Sequence, residues 1–195
     1  MSRAGFVVAL PDELKTLTKQ RVSNGKCQQN KNGSLVALSG AGHDNAGHAA
    51  ELLVERGATL LVSWGCAAAL DRALTPGSLV LPEWIQNEEG IRYPTSVRWH
   101  RLLCDRLSEV MPVHTGPILA CKRLISKSAA KSALADSTHS AALDMESAAI
   151  AEVARKHHVP FVAVRVIADP LDMSLPTAVE RAINDDGEVV LFRLF

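Results

Sequence analysis

The most constraining feature of this chain is a series of short, uninterrupted apolar runs that alternate with stretches of helical spacing. Strands that are apolar at successive positions, and not only at every second one, are typical of a parallel sheet covered on both faces. Because parallel strands need helical crossovers, the chain is predicted to form an α/β fold with a mostly parallel sheet. The predicted strands are Ala4 to Leu10, Leu35 to Leu38, Ala58 to Val62, Ser78 to Leu81, the weaker Val113 to Ala120, Ala142 to Leu143, and Pro160 to Ile167.

Helical spacing of small and apolar residues predicts helices between these strands. They are Asp44 to Arg56, with Asp44 placed to cap its start, Trp99 to Val110, Ser126 to Ala135 and Glu146 to His157. The segment Lys15 to Gly33 is different, because it carries two Asn-Gly pairs that signal tight turns. A hairpin or a mobile loop is expected there.

Length and composition predict one domain. The 195 residues are 47% hydrophobic and 22% charged, which is enough for a single core, and no linker or repeat divides them. The domain is therefore expected to span residues 1–195. The last residues, VVLFRLF, end without a polar cap, so either a final helix docks on the sheet or the natural protein continues beyond Phe195.

Charge and hydropathy exclude several classes of partner. The formal net charge is zero, whereas a nucleic-acid-binding surface is basic. No apolar run approaches the ~20 residues that span a bilayer. Charged Asp12 and Glu13 come too early for a signal peptide, and the four cysteines lack CxxC spacing. A cytoplasmic protein with reduced thiols is expected, without a transmembrane helix or a nucleic-acid partner.

Candidate binding residues lie at four predicted strand ends, where ligands bind in parallel α/β sheets. They are Pro11 to Glu13, Ser39 to Gly42, Gly65 to Ala69, and Ala168 with Asp169. Common cofactor motifs do not fit. SGAGHDN lacks the third glycine of a dinucleotide fingerprint, no phosphate-binding GxxxxGK[ST] loop occurs, and the His43 and His48 spacing is wrong for a metal pair. No metal and no cofactor are expected.

One long segment carries a specific resemblance. ALDMESAAIAEVARKHHVPFVAVRVIADPLD resembles the signature of the nucleoside phosphorylase and nucleosidase superfamily, in which a helix start of the type MEs/aAxA precedes VPfxxVRxIsD. GFVVALPDEL, the block from SLVALSGAG to LVLPEWI, and GPILACKRLIS fall in the same order. The resemblance implies a three-layer α/β sandwich around a mixed, mostly parallel sheet. The superfamily includes methylthioadenosine/S-adenosylhomocysteine nucleosidases. The ending ADPLDMSLPTAV looks most similar to hopanoid-associated phosphorylases, thought to remove adenine from an adenosyl-hopane lipid.

The resemblance also implies two catalytic carboxyl groups. Asp169 matches the acid that protonates purine N7, and Glu13 matches the group that positions or deprotonates the attacking water; a shift of one residue would give that role to Asp12. To act near neutral pH, Asp169 would have to be kept protonated by burial beside apolar Ile167 and Ala168. From the residues alone, Asp169 is equally the first half of an Asp-Pro turn, and Glu13 a solvated loop acid.

Further positions match the substrate-binding residues of the superfamily. Glu146 matches the ligand of the ribose hydroxyls, and Met145 the residue that packs on the sugar; alternatively they are a first-turn acid and a core methionine. A small-residue loop is matched by Cys66, Ala67 and Ala68, and the wall of the base pocket by Leu124 and Ile125.

Two departures from the superfamily pattern affect the mechanism. Its phosphorylases bind phosphate with arginines in two loops, which here read ALPDEL and VSWGCA, with Ser63 at the second arginine position. Two carboxylates would repel phosphate, so water is the better nucleophile. Ala168 replaces the hydroxyl residue that orients the acid, so Asp169 must be held by backbone or another side chain. Arg165, inside a predicted strand, is expected to be structural and paired.

These residues predict an N-ribosyl hydrolase that releases adenine from a 5′-modified adenosine, which adenosylhopane would exemplify. The alternatives are a phosphate-dependent purine nucleoside phosphorylase and a nucleoside-binding protein without catalysis. Three tryptophans, Trp64, Trp84 and Trp99, are expected near the cleft mouth, where they would suit an apolar 5′ group. The resemblance implies a homodimer.

Overall fold

The computed structural model describes residues 3–177, in which five helices and eleven strands follow one another along the chain. The helices are α1 (Pro11–Leu17), α2 (His43–Glu55), α3 (Val97–Leu107), α4 (Ser128–Thr138) and α5 (Ser147–Lys156). The strands are β1 (Ala4–Val8), β2 (Lys26–Gln29), β3 (Leu35–Leu38), β4 (Leu60–Ala69), β5 (Leu79–Val80), β6 (Trp84–Asn87), β7 (Arg92–Pro94), β8 (Val113–His114), β9 (Ile118–Ala120), β10 (Ala142–Asp144) and β11 (Phe161–Asp169).

The ten-residue strand β4 is the centre of the sheet. Its first half pairs with β1, its length from Leu61 to Ala68 pairs with β11, and its last two residues pair with β10. The main path runs β2-β3-β1-β4-β10-β9-β6-β7, while β11 continues through β5 to β8. Six of the ten pairings in the described part of the chain are parallel, which confirms the prediction of a mixed, mostly parallel sheet.

Helices cover both faces of this sheet. On one face, α2 and α5 pack with the strands around a large apolar cluster that includes Leu53, Leu61 and Ile150. On the other face, Trp99 and Leu103 of α3 pack against Leu60 of β4 and neighbouring strands. This arrangement is the expected three-layer sandwich. No helix of residues 3–177 is long and apolar enough to cross a membrane.

Several local predictions need correction. Helix α2 begins at His43 and is capped by the backbone of Gly42, whose φ is +98°, so Asp44 lies in the first turn and is not the cap. The predicted strand Val113 to Ala120 is broken into β8 and β9 around Gly116 and Pro117. The hairpin of β6 and β7 was not predicted. Lys15 to Gly33 does not hold a whole hairpin: it contains the end of α1 and strand β2, and β2 pairs antiparallel with β3, which lies beyond the segment. The apolar ending VVLFRLF lies outside the described residues.

Candidate active site

A cavity of about 410 Å³ lies where β1, β3 and β11 end and where β4 meets β10. All nine side chains predicted for the site are among its lining residues. They are Glu13, Cys66, Ala67, Ala68, Leu124, Ile125, Met145, Glu146 and Asp169. The sheet therefore brings together residues that are separated by more than 150 positions along the chain.

Glu13 reaches the cavity from the first turn of α1. The side chain is buried, and both carboxylate oxygens accept backbone hydrogen bonds: Oε2 from the N–H of Leu10 at 3.0 Å and Oε1 from the N–H of Cys66 at 2.7 Å. Asp12 is exposed and forms an ion pair with Lys15 at 2.6 Å. Of the two neighbouring acids, Glu13 is therefore the one that lines the cavity.

Glu146 precedes α5 and is also buried. Its Oε1 accepts a hydrogen bond from the N–H of Gly42 at 2.8 Å, and its Oε2 accepts one from its neighbour Met145 at 3.3 Å. Burial raises the pKa of Glu146 to about 7, although the charge of Arg165 opposes the shift; the charge of Asp144 adds to it. Glu146 therefore changes its ionisation near neutral pH.

Arg165 is paired, as expected of an arginine inside a buried strand. Its Nε donates to Oδ2 of Asp144 at 2.8 Å, and its Nη2 donates to Oγ of Ser63 at 2.7 Å and lies 3.7 Å from Oε2 of Glu146. Ser147 closes this network through short hydrogen bonding to Asp144. The network fixes the guanidinium behind the cavity, between two carboxylates.

Gly65 allows this network to approach Glu13. A Cβ atom at this position of β4 would lie 2.5 Å from both Nη1 of Arg165 and Oε1 of Glu13. Real Cβ atoms essentially never make contacts this short. Only glycine therefore fits between the two charged groups.

Asp169 is buried at the end of β11, and a lysine contacts it. Nζ of Lys131, on α4, lies 2.9 Å from Oδ2 of Asp169 and donates to the carbonyl of Pro170 at 2.6 Å. The expected burial of Asp169 is confirmed, but apolar Ile167 and Ala168 are not its only surroundings, because the buried ammonium of Lys131 forms an ion pair with it. The expectation that another side chain holds Asp169 is met by Lys131. Nothing in the local sequence of α4 marked this lysine.

The small residues Cys66, Ala67 and Ala68 form the end of β4 and pair with β11, so the expectation that they form a loop is wrong. Desolvation at the cavity raises the pKa of the Cys66 thiol, and the nearby charge of Glu13 adds to the shift. Leu124, Ile125 and Leu175 also line the cavity and form its apolar wall. The lining thus combines buried carboxyl groups with apolar side chains.

The three tryptophans lie away from this cavity, which contradicts their expected place at its mouth. Trp64 packs edge-on against Phe6 with ring centroids 6.1 Å apart, and Trp99 belongs to the α3 face of the core. Trp84 lies beneath the guanidinium of Arg92. A tryptophan in a buried strand or an amphipathic helix is as readily a core residue as a ligand contact. In residues 3–177, no group of three or more His, Cys, Asp or Glu side chains is arranged to hold a metal ion.

Comparisons with known proteins agree with this architecture. A model of the phosphorylase superfamily matches residues 3–190. The chain is 24% identical, over 179 residues, to the 5′-methylthioadenosine/S-adenosylhomocysteine nucleosidase of Staphylococcus aureus. This alignment covers 80% of this chain and 78% of the S. aureus protein.

Solved structures show the same fold. The corresponding nucleosidase of Neisseria meningitidis, in complex with methylthio-immucillin-A, superposes with a TM-score of 0.78 at 23% identity, covering 88% of this chain and 87% of that one. Futalosine hydrolase of Helicobacter pylori superposes with a TM-score of 0.77 at 19% identity, covering 88% and 86%. With its sheet topology and the match over nearly its whole length, the chain belongs to the phosphorylase superfamily.

Proposed function

We propose that this protein is a nucleosidase, an N-ribosyl hydrolase that releases adenine from a 5′-modified adenosine. The observation that carries the proposal is the meeting of three buried carboxyl groups, Glu13, Glu146 and Asp169, in one cavity with an apolar wall. The nucleosidase and hydrolase names of similar proteins support it.

The carboxylates suit the charge that develops when an N-ribosidic bond breaks. The ribose gains positive charge as an oxocarbenium-like centre forms, and negative groups around it stabilise that charge. Glu146 would accept hydrogen bonds from the ribose hydroxyls, and Met145 would pack against the sugar. Ionised Glu146 offers the most acceptor sites, because a carboxylate has only acceptors.

Glu13 would position the attacking water and take its proton. Both of its oxygens are already held by backbone N–H groups, so the carboxylate has a fixed orientation. Phosphate is disfavoured as the nucleophile, because the cationic Arg165 is already engaged by Asp144 and Ser63. A phosphate dianion would instead meet Glu13 and Glu146.

At the other end of the bond, Asp169 would act on N7 of the departing purine. Leu124 and Ile125 would contact the flat faces of the base, although neither provides ring stacking. The purine edge would then meet the end of β11.

For the 5′ substituent we propose the lipid of adenosylhopane. The apolar wall, which Leu175 extends, supports an apolar group there. We also propose a single-domain, cytoplasmic homodimer on the resemblance to the superfamily. Sedimentation tests the dimer. The lipid substrate is tested by comparing the binding of two nucleosides. If methylthioadenosine binds well and a lipid-linked adenosine does not bind, the proposed lipid substrate is rejected.

The function is tested by incubating the protein with 5′-methylthioadenosine and measuring the release of free adenine by chromatography. Asp169→Asn is expected to lose about 100-fold or more in kcat, the usual contribution of a general acid. Asp12→Asn is the matched control, because it removes an exposed carboxylate next to Glu13 and should leave the rate unchanged.

Three outcomes would redirect the proposal. Dependence on phosphate, with ribose 1-phosphate as a product, would identify a phosphorylase. Tight binding of nucleosides without turnover would identify a binding protein. Equal rates for the wild type and Asp169→Asn would remove Asp169 from the mechanism.

A further inference from the structure

Lys131 is a completely buried lysine that has no role in the reaction steps proposed above. Its exposure is 0%, and it is the buried residue of the short, alanine-rich helix α4. Lysine is almost never fully buried unless it is paired. Its two acceptors are Oδ2 of Asp169, the last residue of β11, and the carbonyl of Pro170, the residue that follows the strand.

We propose that Lys131 is the proton reserve of the leaving-group acid, and that it supplies through Asp169 the proton that the purine takes. This inference rests on the proposed nucleosidase function. Among the described residues, Asp169 lines the cavity and Lys131 does not, so Lys131 is a positioning residue that acts through Asp169.

The ion pair explains why a reserve is needed. Nζ of Lys131 donates to Oδ2 of Asp169 at 2.9 Å, and a carboxylate that accepts this hydrogen bond has no proton of its own to give. The pair as a whole still holds one transferable proton, on Nζ of Lys131. Oδ2 of Asp169 accepts it, while the same carboxyl group faces the cavity where the purine edge would lie.

The proton transfers balance. As the C1′–N9 bond breaks, its electron pair leaves with the purine. Nζ of Lys131 gives a proton to Oδ2 of Asp169, and the carboxyl group formed in this way gives a proton to N7. Water forms the new bond to C1′ and passes a proton to Glu13. After the products leave, Glu13 releases its proton to solvent and Lys131, now a neutral amine, regains one from solvent.

Other titratable groups lie near the pair. Cys66 on β4 interacts electrostatically with Asp169, Glu13 and Glu146 line the same cavity, and Arg165 lies behind it, 3.7 Å from Glu146. The ionisation of these groups can affect both the low-pH limb and the high-pH limb of a rate profile. The test therefore compares variants of Lys131 in which those groups are unchanged.

The decisive variants are Lys131→Arg and Lys131→Met, assayed for adenine release from 5′-methylthioadenosine between pH 5 and pH 10. A guanidinium keeps the positive charge but does not give up a proton. Lys131→Arg is therefore expected to lose about 100-fold in kcat at pH 8, with KM nearly unchanged, because the residue does not touch the substrate.

Lys131→Met leaves Asp169 as a lone acid. Its kcat is expected to fall at a lower pH than the kcat of the wild type, in which Lys131 still supplies a proton to Asp169. The opposite shift, an activity that extends to higher pH in Lys131→Met, would mean that Lys131 only keeps Asp169 ionised, and would overturn the relay. Wild-type kcat in Lys131→Arg would overturn it as well.

The matched control is Lys156→Met, at an exposed lysine paired with Glu51, which should keep the wild-type profile. Thermal unfolding of each variant separates a loss of folding from a loss of chemistry. If both Lys131 variants fail to fold, the pH profile of the wild type is the remaining test. A wild-type kcat that declines above neutral pH would contradict the role of Lys131 as a proton reserve. A wild-type protein that releases adenine from neither 5′-methylthioadenosine nor a lipid-linked adenosine would overturn the nucleosidase function itself, whereas the failures described above leave that function standing.

Discussion

Replacing Gly65 with alanine should damage both the folding and the activity of this protein. The added methyl group would lie 2.5 Å from Nη1 of Arg165 and 2.5 Å from Oε1 of Glu13. Neither group has room to retreat. Arg165 is tied to Asp144 at 2.8 Å, and the same Glu13 oxygen accepts the backbone N–H of Cys66 at 2.7 Å.

The cost has two parts. Overpacking a well-filled site costs about 1–3 kcal/mol, and breaking a hydrogen bond to a charged group costs about 1.5–3 kcal/mol. Since the two parts overlap, the free energy of unfolding should fall by about 2–5 kcal/mol. For a domain of this length, that corresponds to a decrease of roughly 5–15 °C in Tm.

The assay combines thermal unfolding with the rate of adenine release. Gly47→Ala is the matched control, because a Cβ there would meet Cβ of Ala149 at an ordinary 3.8 Å inside helix α2. That variant should gain about 0.5–1 kcal/mol, since alanine suits a helix better than glycine. A Gly65→Ala protein with the wild-type Tm and kcat would refute the close approach of Glu13 to Arg165.

Four further predictions concern the charges around the cavity. Because burial raises the pKa of Glu146 from 4.5 to about 7, kcat/KM should rise with pH through about 7 as the carboxylate proposed to bind the ribose forms, and Glu146→Gln should remove this limb of the rate profile. The same shift means that the folded protein keeps a proton that the unfolded chain has lost, so in urea unfolding this group should lower the stability as pH rises from 4.5 to about 7. Arg165→Met removes the cationic partner of the buried Asp144, which keeps only its hydrogen bonds from Ser147, and should cost about 3–5 kcal/mol in urea unfolding; a loss below about 1 kcal/mol would contradict the network. Since desolvation raises the pKa of Cys66, alkylation of its thiol should be slow at pH 7, faster at pH 9 and blocked by adenine; rates that adenine does not change would place the base elsewhere.

The sequence identified the sheet because its central strands are apolar at successive positions. Phe161–Asp169 is the clearest case, and its pairing with β4 follows from the parallel architecture. The hairpin of β6 and β7 escaped prediction because Trp84–Asn87 and Arg92–Pro94 are short and mix polar with apolar residues. Such segments carry neither an apolar run nor a clean alternation.

The candidate site likewise contains residues that the sequence predicted and one that it did not. Glu13, Glu146 and Asp169 were identified through motifs that are local in sequence, and the structure places them in one cavity. Lys131 had no such signal, because a lysine in an alanine-rich helix is usually exposed, and its partner lies 38 positions away. Only tertiary packing shows that this lysine is buried.

The cavity is built from parts that differ in how firmly they are anchored. Each of its three acids is hydrogen-bonded to a second segment of the chain: Glu13 to Cys66, Glu146 to Gly42, and Asp169 to Lys131. The apolar wall comes from segments outside the helices and strands, at Leu124, Ile125 and Leu175. Selection or design can therefore remodel the wall to admit a different nucleoside while the anchored acids keep their alignment.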